Sequence, residues 1–130
     1  MAAASSEAID EVIGQIAFNE AGLVPAVAQQ HDSGEVLMLA WMNAESLRET
    51  LESGQVCYWS RSRRRLWRKG ETSGHRQRLV ELRFDCDRDA LLLQVEQTGP
   101  ACHTERRSCF YHALRDGAVE VILDPLEAVP

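Results

Sequence analysis

Short apolar runs separated by turn-forming residues are the feature that most constrains how this chain can fold. Val80, Leu82 and Phe84 alternate with charged neighbours, which is the period-two pattern of a half-buried strand at 78–84. Further strand-like runs occur at 56–59, 90–96, 109–113 and 119–123. Such a series of short strands predicts a mainly β fold.

The first half of the chain adds two helices to this pattern. Apolar residues at the spacing of one helical face, after Ser5 or Ser6 as the cap, predict an opening helix: Ile9, Val12, Ile13 and Ile16. Two β-rich runs follow at 22–28 and 35–42, separated by a turn at 31–34. Asn43 is placed to cap a second helix, which extends to about Leu51 and ends at Gly54. The expected fold class is therefore mainly β (α+β) with two short helices.

Size and charge restrict the domain count and the class of partner. The chain has 130 residues, 45% of them hydrophobic, so we expect one domain that spans residues 1–130. Its 20 acidic residues outnumber 14 basic ones, and this balance disfavours a protein that wraps nucleic acid. The first six residues lack the features of a signal peptide, and no segment is long enough to cross a membrane. These observations predict a cytoplasmic protein with no membrane partner.

Three aspartates stand at the end of the predicted strand 78–84. If the strand continues, Asp85, Asp87 and Asp89 point to one side and Cys86 points to the other. Oxygen ligands suit magnesium, whereas a thiolate suits zinc, so one strand end can serve two metal ions. The alternative is a solvated acidic turn with Arg88 as its partner.

Two further cysteines, Cys102 and Cys109, follow a Gly-Pro turn. In a cytoplasmic protein, cysteines are more often free, metal-bound or catalytic than disulfide-bonded. Together with Cys86 they would leave one zinc position open, which is typical of catalytic zinc. The alternative is that these cysteines simply pack in the interior. His103 is interpreted as a proton-transfer group, because neighbours on an extended chain point apart and one metal rarely takes two adjacent residues.

A basic, aromatic segment with two glycines lies between residues 58 and 75 and holds six of the fourteen Lys and Arg residues. Arg side chains match phosphate oxygens, hydroxyl groups donate to them, and glycine lets the backbone approach closely. The segment predicts an anion site with rings for stacking. The alternatives are a solvated basic hairpin whose Trp residues lie in the core, and nucleic-acid binding, which the acidic total disfavours. The candidate substrate contacts are Trp59, Ser60, Arg61, Arg63, Trp67, Lys69, Glu71, Thr72 and Ser73.

Taken together and in order, these segments resemble the phosphoribosyl-AMP cyclohydrolase family. The similarity runs from about residue 22 to residue 110, which is most of the chain, and the combination of motifs is highly specific. The matching motifs are 22–29, 36–43, 58–63, 66–75, Asp85-Cys86-Asp87 with 89–92, 101–104 and 108–110.

The resemblance implies a pseudo-barrel of mixed strands in an intertwined homodimer. It implies that Cys86 joins a zinc site completed by the partner's cysteines. The family commonly has glycine after the Cys-His-Thr motif, where this chain has Glu105, so the geometry of that loop is open to change. The pyrophosphohydrolase domain fused to some relatives is not expected here. The implied metal ligands are Cys86, Cys102 and Cys109 for zinc and Asp85, Asp87 and Asp89 for magnesium.

The implied activity is hydrolytic opening of the adenine ring of phosphoribosyl-AMP at the N1–C6 bond, by zinc-activated water, in histidine biosynthesis. This makes the chain a hydrolase that acts on a cyclic amidine C–N bond. His103 is the first candidate for proton transfer and His75 is the second. The runner-up hypothesis is a zinc nucleobase deaminase, whose His-x-Glu and Pro-Cys-x-x-Cys signature is missing here. A hypothesis from another class is a non-enzymatic zinc module that binds nucleic acid through residues 61–69.

Overall fold

The structure is a computed structural model that describes residues 4–126. As predicted, the fold is mostly β with two short helices. The predicted domain, 1–130, includes residues 1–3 and 127–130, which lie outside the described residues. The elements are α1 (Ser6–Gln15), β1 (Val24–Gln30), β2 (Val36–Met42), α2 (Ala44–Ser53), β3 (Cys57–Ser60), β4 (Arg65–Arg68), β5 (Gln77–Phe84), β6 (Leu91–Gln97), β7 (His112–Arg115) and β8 (Ala118–Val121).

Six of these strands form one mixed sheet in the order β4-β3-β2-β1-β6-β5. β1 and β6 run parallel, and the other neighbouring strands are antiparallel. The sheet curls until β5, at one edge, meets the segment that leads into β3. There Gln55 bridges to Arg78, and the Val56 amide donates to the Gln77 carbonyl at 2.9 Å. This curled, half-closed sheet confirms the expected barrel-like arrangement, while β7 and β8 form a separate hairpin.

Both helices begin at residues whose side chains cap them. The Ser5 hydroxyl accepts from the Ala8 amide at 3.2 Å, so Ser5 is the cap of α1. At α2 the Asn43 side chain accepts from the Ser46 amide at 2.8 Å, and the Ser46 hydroxyl accepts from the Asn43 amide at 3.0 Å. Gly54 ends α2 with φ at 75°. Over residues 4–126, no helix is long and apolar enough to span a bilayer.

The hydrophobic core joins the sheet to the two helices. Alternate residues of β1 are buried along its whole length, and Leu93 of the neighbouring β6 is completely inaccessible to solvent. From the helices, Ile9 and Leu47 insert into the same cluster. The core therefore holds the sheet in place. The loops that form the pocket, described below, extend from this sheet.

A chain of polar side chains runs through this core. The buried Tyr58 hydroxyl donates to Gln77 Oε1 at 2.7 Å, and Gln77 Nε2 donates to Gln97 Oε1 at 2.8 Å. Burial raises the pKa of the Tyr58 phenol well above its usual value, so the hydroxyl stays a donor. Because buried polar groups require partners, this chain ties β3, β5 and β6 together at one level.

One strand was not predicted, and two predicted strands have different bounds. The basic segment is a β3–β4 hairpin, and β4 escaped prediction because three of its four residues are exposed and carry no apolar alternation. The predicted strand 109–113 begins only at His112, because the Cys109 amide instead donates to the Leu37 carbonyl at 2.7 Å. The last strand is Ala118–Val121 rather than 119–123.

Replacing Tyr58 by Phe tests the buried polar chain. The substitution leaves Gln77 Oε1 without its donor, so we expect the free energy of unfolding to fall by about 1–3 kcal/mol. Urea denaturation measures this change. Tyr111→Phe, at a partly exposed ring, is the matched control and should change little. Equal stability of Tyr58→Phe and the wild type would contradict the role given to the chain.

Candidate functional site

A pocket of about 1000 Å³ opens between two loops and the β3–β4 hairpin. One wall is the glycine loop, residues 69–75, together with β4. The other wall is the cysteine loop, residues 99–109. Most of the predicted site residues line this one pocket: Ser60, Arg63, Trp67, Lys69, Glu71, Thr72, Ser73, His75, Cys102, His103 and Cys109.

Other predicted site residues lie elsewhere. Trp59 and Arg61 line a shallower adjoining groove with Trp41, and the Arg61 guanidinium lies 4.6 Å from the centre of the Trp41 ring. Ser60 and Trp67 line both the groove and the pocket, so the two are neighbours. Cys86 and the aspartates beside it follow β5 and line neither cavity.

The glycine loop depends on a close approach of its own backbone. Gly70 has φ at 78°, and a Cβ at this position would lie only 2.4 Å from the His75 carbonyl carbon. The Gly74 amide donates to the Gly70 carbonyl at 2.8 Å, and the Ser73 hydroxyl accepts from the His75 amide at 3.2 Å. These bonds hold the loop hydroxyls and His75 on the pocket wall.

The cysteine loop folds back on itself through its main chain. The Ala101 amide donates to the Arg107 carbonyl, and the Cys102 amide donates to the Arg106 carbonyl, both at 3.1 Å. Between these bonds Glu105 has φ at 65°, the left-handed conformation that glycine adopts without steric cost. The backbone at Glu105 thus keeps a glycine-like angle, and the loop still carries Cys102 and Cys109 to the same pocket.

The two thiols of the cysteine loop have different electrostatic surroundings. Burial opposes ionisation of Cys102, but hydrogen bonds from Thr104, whose hydroxyl lies 3.0 Å from Sγ, outweigh it and lower the pKa of the thiol. Burial raises the pKa of Cys109 to about 11, and the neighbouring Cys102 adds to the rise. A cation placed between the sulfurs would favour ionisation of both. The donor set, two converging thiols, fits a soft metal ion such as zinc.

Lys69 connects the two walls of the pocket. Its Nζ donates to the Ala101 carbonyl at 2.6 Å and lies 5.4 Å from the centre of the Trp67 ring. Burial lowers the pKa of its ammonium group, and the nearby Cys109 and Cys102 oppose that shift. Lys69 therefore brings positive charge near the thiols, and it also holds the cysteine loop in place.

Two clusters of potential metal ligands lie outside the pocket within the described part of the chain. In each, the ligand atoms lie within 4.8 Å of one another: Asp85, Asp87 and Asp89 form one cluster, and His31, Asp32 and Glu96 form the other.

The carboxylates of the aspartate cluster are close enough to shift one another's pKa. The Asp89 amide donates to Asp85 Oδ1 at 3.0 Å. Hydrogen bonding with Asp87 and Asp85 raises the pKa of Asp89, because the close carboxylates favour sharing a proton. A hard divalent cation would replace that proton, so the carboxylates fit magnesium.

Comparison with known proteins identifies the family. The sequence profile of phosphoribosyl-AMP cyclohydrolase matches residues 38–111. Phosphoribosyl-AMP cyclohydrolase 2 of Pseudomonas fluorescens is 68% identical over 120 residues, which cover 92% of this chain and 82% of that protein. The chain belongs to the phosphoribosyl-AMP cyclohydrolase family.

Other members of the cyclohydrolase family have a similar sequence identity to this chain. The phosphoribosyl-AMP cyclohydrolase of Cereibacter sphaeroides is 68% identical over 111 residues, covering 85% of this chain and 93% of that protein. The enzyme of that name from Alkalilimnicola ehrlichii is 68% identical over 114 residues, covering 88% of this chain and 80% of that protein. The matched segment 38–111 contains both walls of the pocket and the aspartate cluster.

Some pocket residues were missed by the sequence analysis. Four of them belong to the basic segment 58–75, which was predicted to bind an anion without these residues being named as contacts. The others lie on strands or turns and reach the pocket through tertiary proximity. The exposed arginines of β4 lie on the β3–β4 hairpin. Predicting β4 from the sequence would therefore have identified them as pocket residues. The missed residues are Met38, Arg65, Leu66, Arg68, Gly70, Pro100, Ala101 and Glu105.

Replacing Gly70 by Ala tests the close approach within the glycine loop. The new methyl group would overlap the His75 main chain, so the loop must move and the protein should lose well over the ~1 kcal/mol that a left-handed alanine costs. Gly74→Ala is the control, because Gly74 has φ at 81° with open space around its Cβ position. Urea denaturation compares the two. Equal losses would show that the approach does not matter.

Proposed function

We propose that this protein hydrolyses the N1–C6 bond of the adenine ring of phosphoribosyl-AMP and so produces the ring-opened formimino aminoimidazole carboxamide ribonucleotide of histidine biosynthesis. The observation that carries the proposal is one pocket in which the thiols of the cysteine loop face the cations and hydroxyls of the glycine loop. The membership of the chain in the cyclohydrolase family supports it. A pocket of about 1000 Å³ also suits a nucleotide.

The chemistry defines what the pocket must provide. A ribosyl group on N1 makes the ring electrophilic at C6. The oxygen of water bonds to C6 and gives up both of its protons to bases. N1 departs with the electron pair of the broken bond and takes up one proton. C6 becomes a carboxamide that keeps the exocyclic nitrogen, so no ammonia is released. A deaminase would instead break the exocyclic C–N bond.

Zinc is the metal that we assign to the thiols. Cys102 and Cys109 would hold it, with Cys86 of the partner subunit as the third ligand, which leaves one position free. Bound zinc supplies Lewis acidity that makes water nucleophilic near neutral pH. The exposed position of Cys86, outside the pocket of its own chain, is what a ligand donated to a second copy requires.

His103 and His75 are the groups that we assign to proton transfer. His103 follows Cys102 directly and lines the same pocket, so it would be available to water activated at that thiol's metal, and it takes the first role. His75 lies in the opposite wall, with its ring against Gly99, and takes the second role. One histidine would accept a proton from the water, and the other would donate a proton to N1.

The glycine loop and β4 are assigned to the substrate phosphates. Arg63 and Lys69 supply positive charge, and the Thr72 and Ser73 hydroxyls supply donors at the same wall. Trp67 offers a ring face for stacking, while Ser60 and Glu71 complete this part of the pocket. Trp59 and Arg61 would reach only a part of the substrate that extends into the adjoining groove.

Magnesium is assigned to Asp85, Asp87 and Asp89. Three carboxylates within 4.8 Å of one another fit a hard cation, and they lie next to Cys86 in sequence. If Cys86 of the partner subunit enters the pocket, these aspartates enter with it. Magnesium there would neutralise the carboxylates and orient a phosphate or ribose oxygen.

A homodimer is the assembly that this arrangement requires. The β7–β8 hairpin exposes an apolar surface, with Leu114 75% and Val119 72% accessible, together with Val121. A two-stranded hairpin is marginally stable alone, so a second copy that covers it would stabilise it. We therefore propose that the hairpin packs against the partner subunit, with isologous C2 symmetry.

The ultraviolet spectrum of phosphoribosyl-AMP incubated with the purified protein tests the proposed reaction, with ammonia measured in parallel. We expect conversion to the ring-opened product without ammonia, and loss of that conversion after treatment with a zinc chelator. Release of ammonia would favour a deaminase. If the metal-loaded protein leaves the spectrum unchanged but binds nucleic acid with a steep salt dependence, the zinc-module hypothesis would replace the proposal.

His103→Ala tests the proton-transfer assignment. Because positioned acids and bases contribute about 10²- to 10⁴-fold, we expect kcat to fall by that order while the fold is retained. His31→Ala, in the exposed turn between β1 and β2 and outside both cavities, is the control and should keep near wild-type kcat. Steady-state kinetics of the variants and the wild type measure kcat. A small effect of His103→Ala with a large effect of His75→Ala would transfer the first role to His75.

A further inference from the structure

One arginine side chain, Arg107, fastens the base of the cysteine loop to the sheet. Its Nη1 donates to the carbonyls of Gln97 and Gly99, each at 3.0 Å. Its Nη2 donates to Gln30 Oε1 at 2.8 Å, and its Nε lies 3.3 Å from Glu35 Oε1. The side chain is 26% accessible. It therefore joins the ends of β1 and β6, the residue before β2, and the start of the cysteine loop.

The main chain around Arg107 fixes the other arm of the same loop. The Arg107 carbonyl accepts from the Ala101 amide at 3.1 Å, directly before Cys102. The Ser108 hydroxyl donates to the Val36 carbonyl at 2.7 Å, and the Cys109 amide donates to the Leu37 carbonyl at 2.7 Å. The two cysteines are thus held by bonds that Arg107 and its neighbours in sequence make with the rest of the loop and with β2.

The acceptors around Arg107 require a guanidinium. They lie on separate segments of the chain, and the planar fork of donors reaches all of them at once. A lysine keeps the charge, but its single ammonium group on a flexible stem cannot satisfy the same set. The carbonyls of Gln97 and Gly99 would then lose their partner at the point where the cysteine loop leaves β6.

Gln97 extends this support to the opposite wall of the pocket. Its Nε2 donates to the carbonyl of Thr98 at 3.0 Å and to those of His75 and Pro100, both at 3.3 Å. Arg107 therefore binds the main-chain carbonyl of Gln97, and the side chain of Gln97 in turn contacts both loops. A change at Arg107 alters the cysteine loop first and the glycine loop only through Gln97.

We propose that Arg107 is a positioning residue that sets the separation of the Cys102 and Cys109 thiols before a metal arrives. It contacts neither the metal nor the substrate. The inference rests on the proposed zinc site. It adds a physical cause for the preorganisation of that site, because a loop already held by Arg107 binds the ion without first having to become ordered.

Arg107→Lys tests the inference, and Arg106→Lys is the matched control. Arg106 is the neighbour in sequence, but its Nε donates to the Leu123 carbonyl at 2.8 Å and its guanidinium stacks on Tyr111 at 4.1 Å, away from the loop base. Both variants keep their charge. Zinc affinity is measured by competition with a chelator, and the thiolate-to-metal band of the cobalt-loaded protein reports the ligands. Circular dichroism confirms the fold.

We expect zinc affinity to fall by about 10- to 100-fold in Arg107→Lys, with a changed cobalt band, and to stay within a few-fold of wild type in Arg106→Lys. Equal affinities and bands in Arg107→Lys and wild type would overturn the inference. If Arg107→Lys does not fold, Glu35→Ala removes the acceptor of Arg107 Nε and should give a smaller loss in the same direction. No loss in that variant would likewise overturn the inference.

A metal-free measurement separates this inference from the proposed zinc site. Phenylarsine oxide bridges two close thiols, and in the Cys86→Ser background it reports on the Cys102 and Cys109 pair alone, because Cys57 does not line the pocket and is only 1% accessible. Weaker binding in Arg107→Lys supports the role of Arg107 whether or not zinc is the metal. If wild type gives no thiolate band with cobalt, the zinc assignment fails. If the arsenical binds both proteins equally, the inference about Arg107 fails.

Discussion

The hydrogen bonds of Val56 hold the curled sheet closed, and the pocket depends on that closure. The Val56 amide donates to the Gln77 carbonyl at the start of β5, and its own carbonyl accepts from the Lys69 amide, just after β4, at 3.1 Å. β4 and β5 are the two edges of the sheet. One buried residue therefore brings both edges together, and the glycine loop that connects them forms a wall of the pocket.

The second constraint is electrostatic. Two thiols and a lysine share a partly buried space, and burial disfavours the charged form of each. Thr104 lowers the pKa of Cys102, whereas Cys109 remains protonated without additional positive charge. Ionisation of Cys109 therefore depends more on a nearby cation than ionisation of Cys102 does. This asymmetry supports the proposed metal ion between the two thiols.

The sequence predicted the fold class, both helix caps and the location of most pocket residues. These features depend on local chemistry, as in the reciprocal bonds of Asn43 and Ser46 and the conformation of Gly54. It could not predict β4, because an edge strand rich in arginine has no apolar face to alternate. It also could not separate Trp59 and Arg61 from the other substrate candidates, since residues next to each other in a hairpin face opposite sides of the sheet.

The residues that hold the two pocket loops in place could not be predicted from the sequence for another reason. Gln97 and Arg107 look like ordinary polar residues in the sequence, and only the tertiary structure places them between two loops. At Glu105, in contrast, the sequence pointed to an unusual position before the structure was known. The resemblance raised doubt about a position where glycine is common, and the structure gives that position the backbone angle that explains the preference.

The central claim is that the thiol pair is completed by a second copy of the chain. Co-expression of Cys86→Ala with Cys102→Ala tests it most directly, because one site of the mixed dimer then contains every cysteine. Each variant alone should be inactive, while the mixture should regain roughly a quarter of wild-type activity, since half of randomly paired dimers carry one intact site. No recovery in a mixture shown to contain mixed dimers would contradict the shared site.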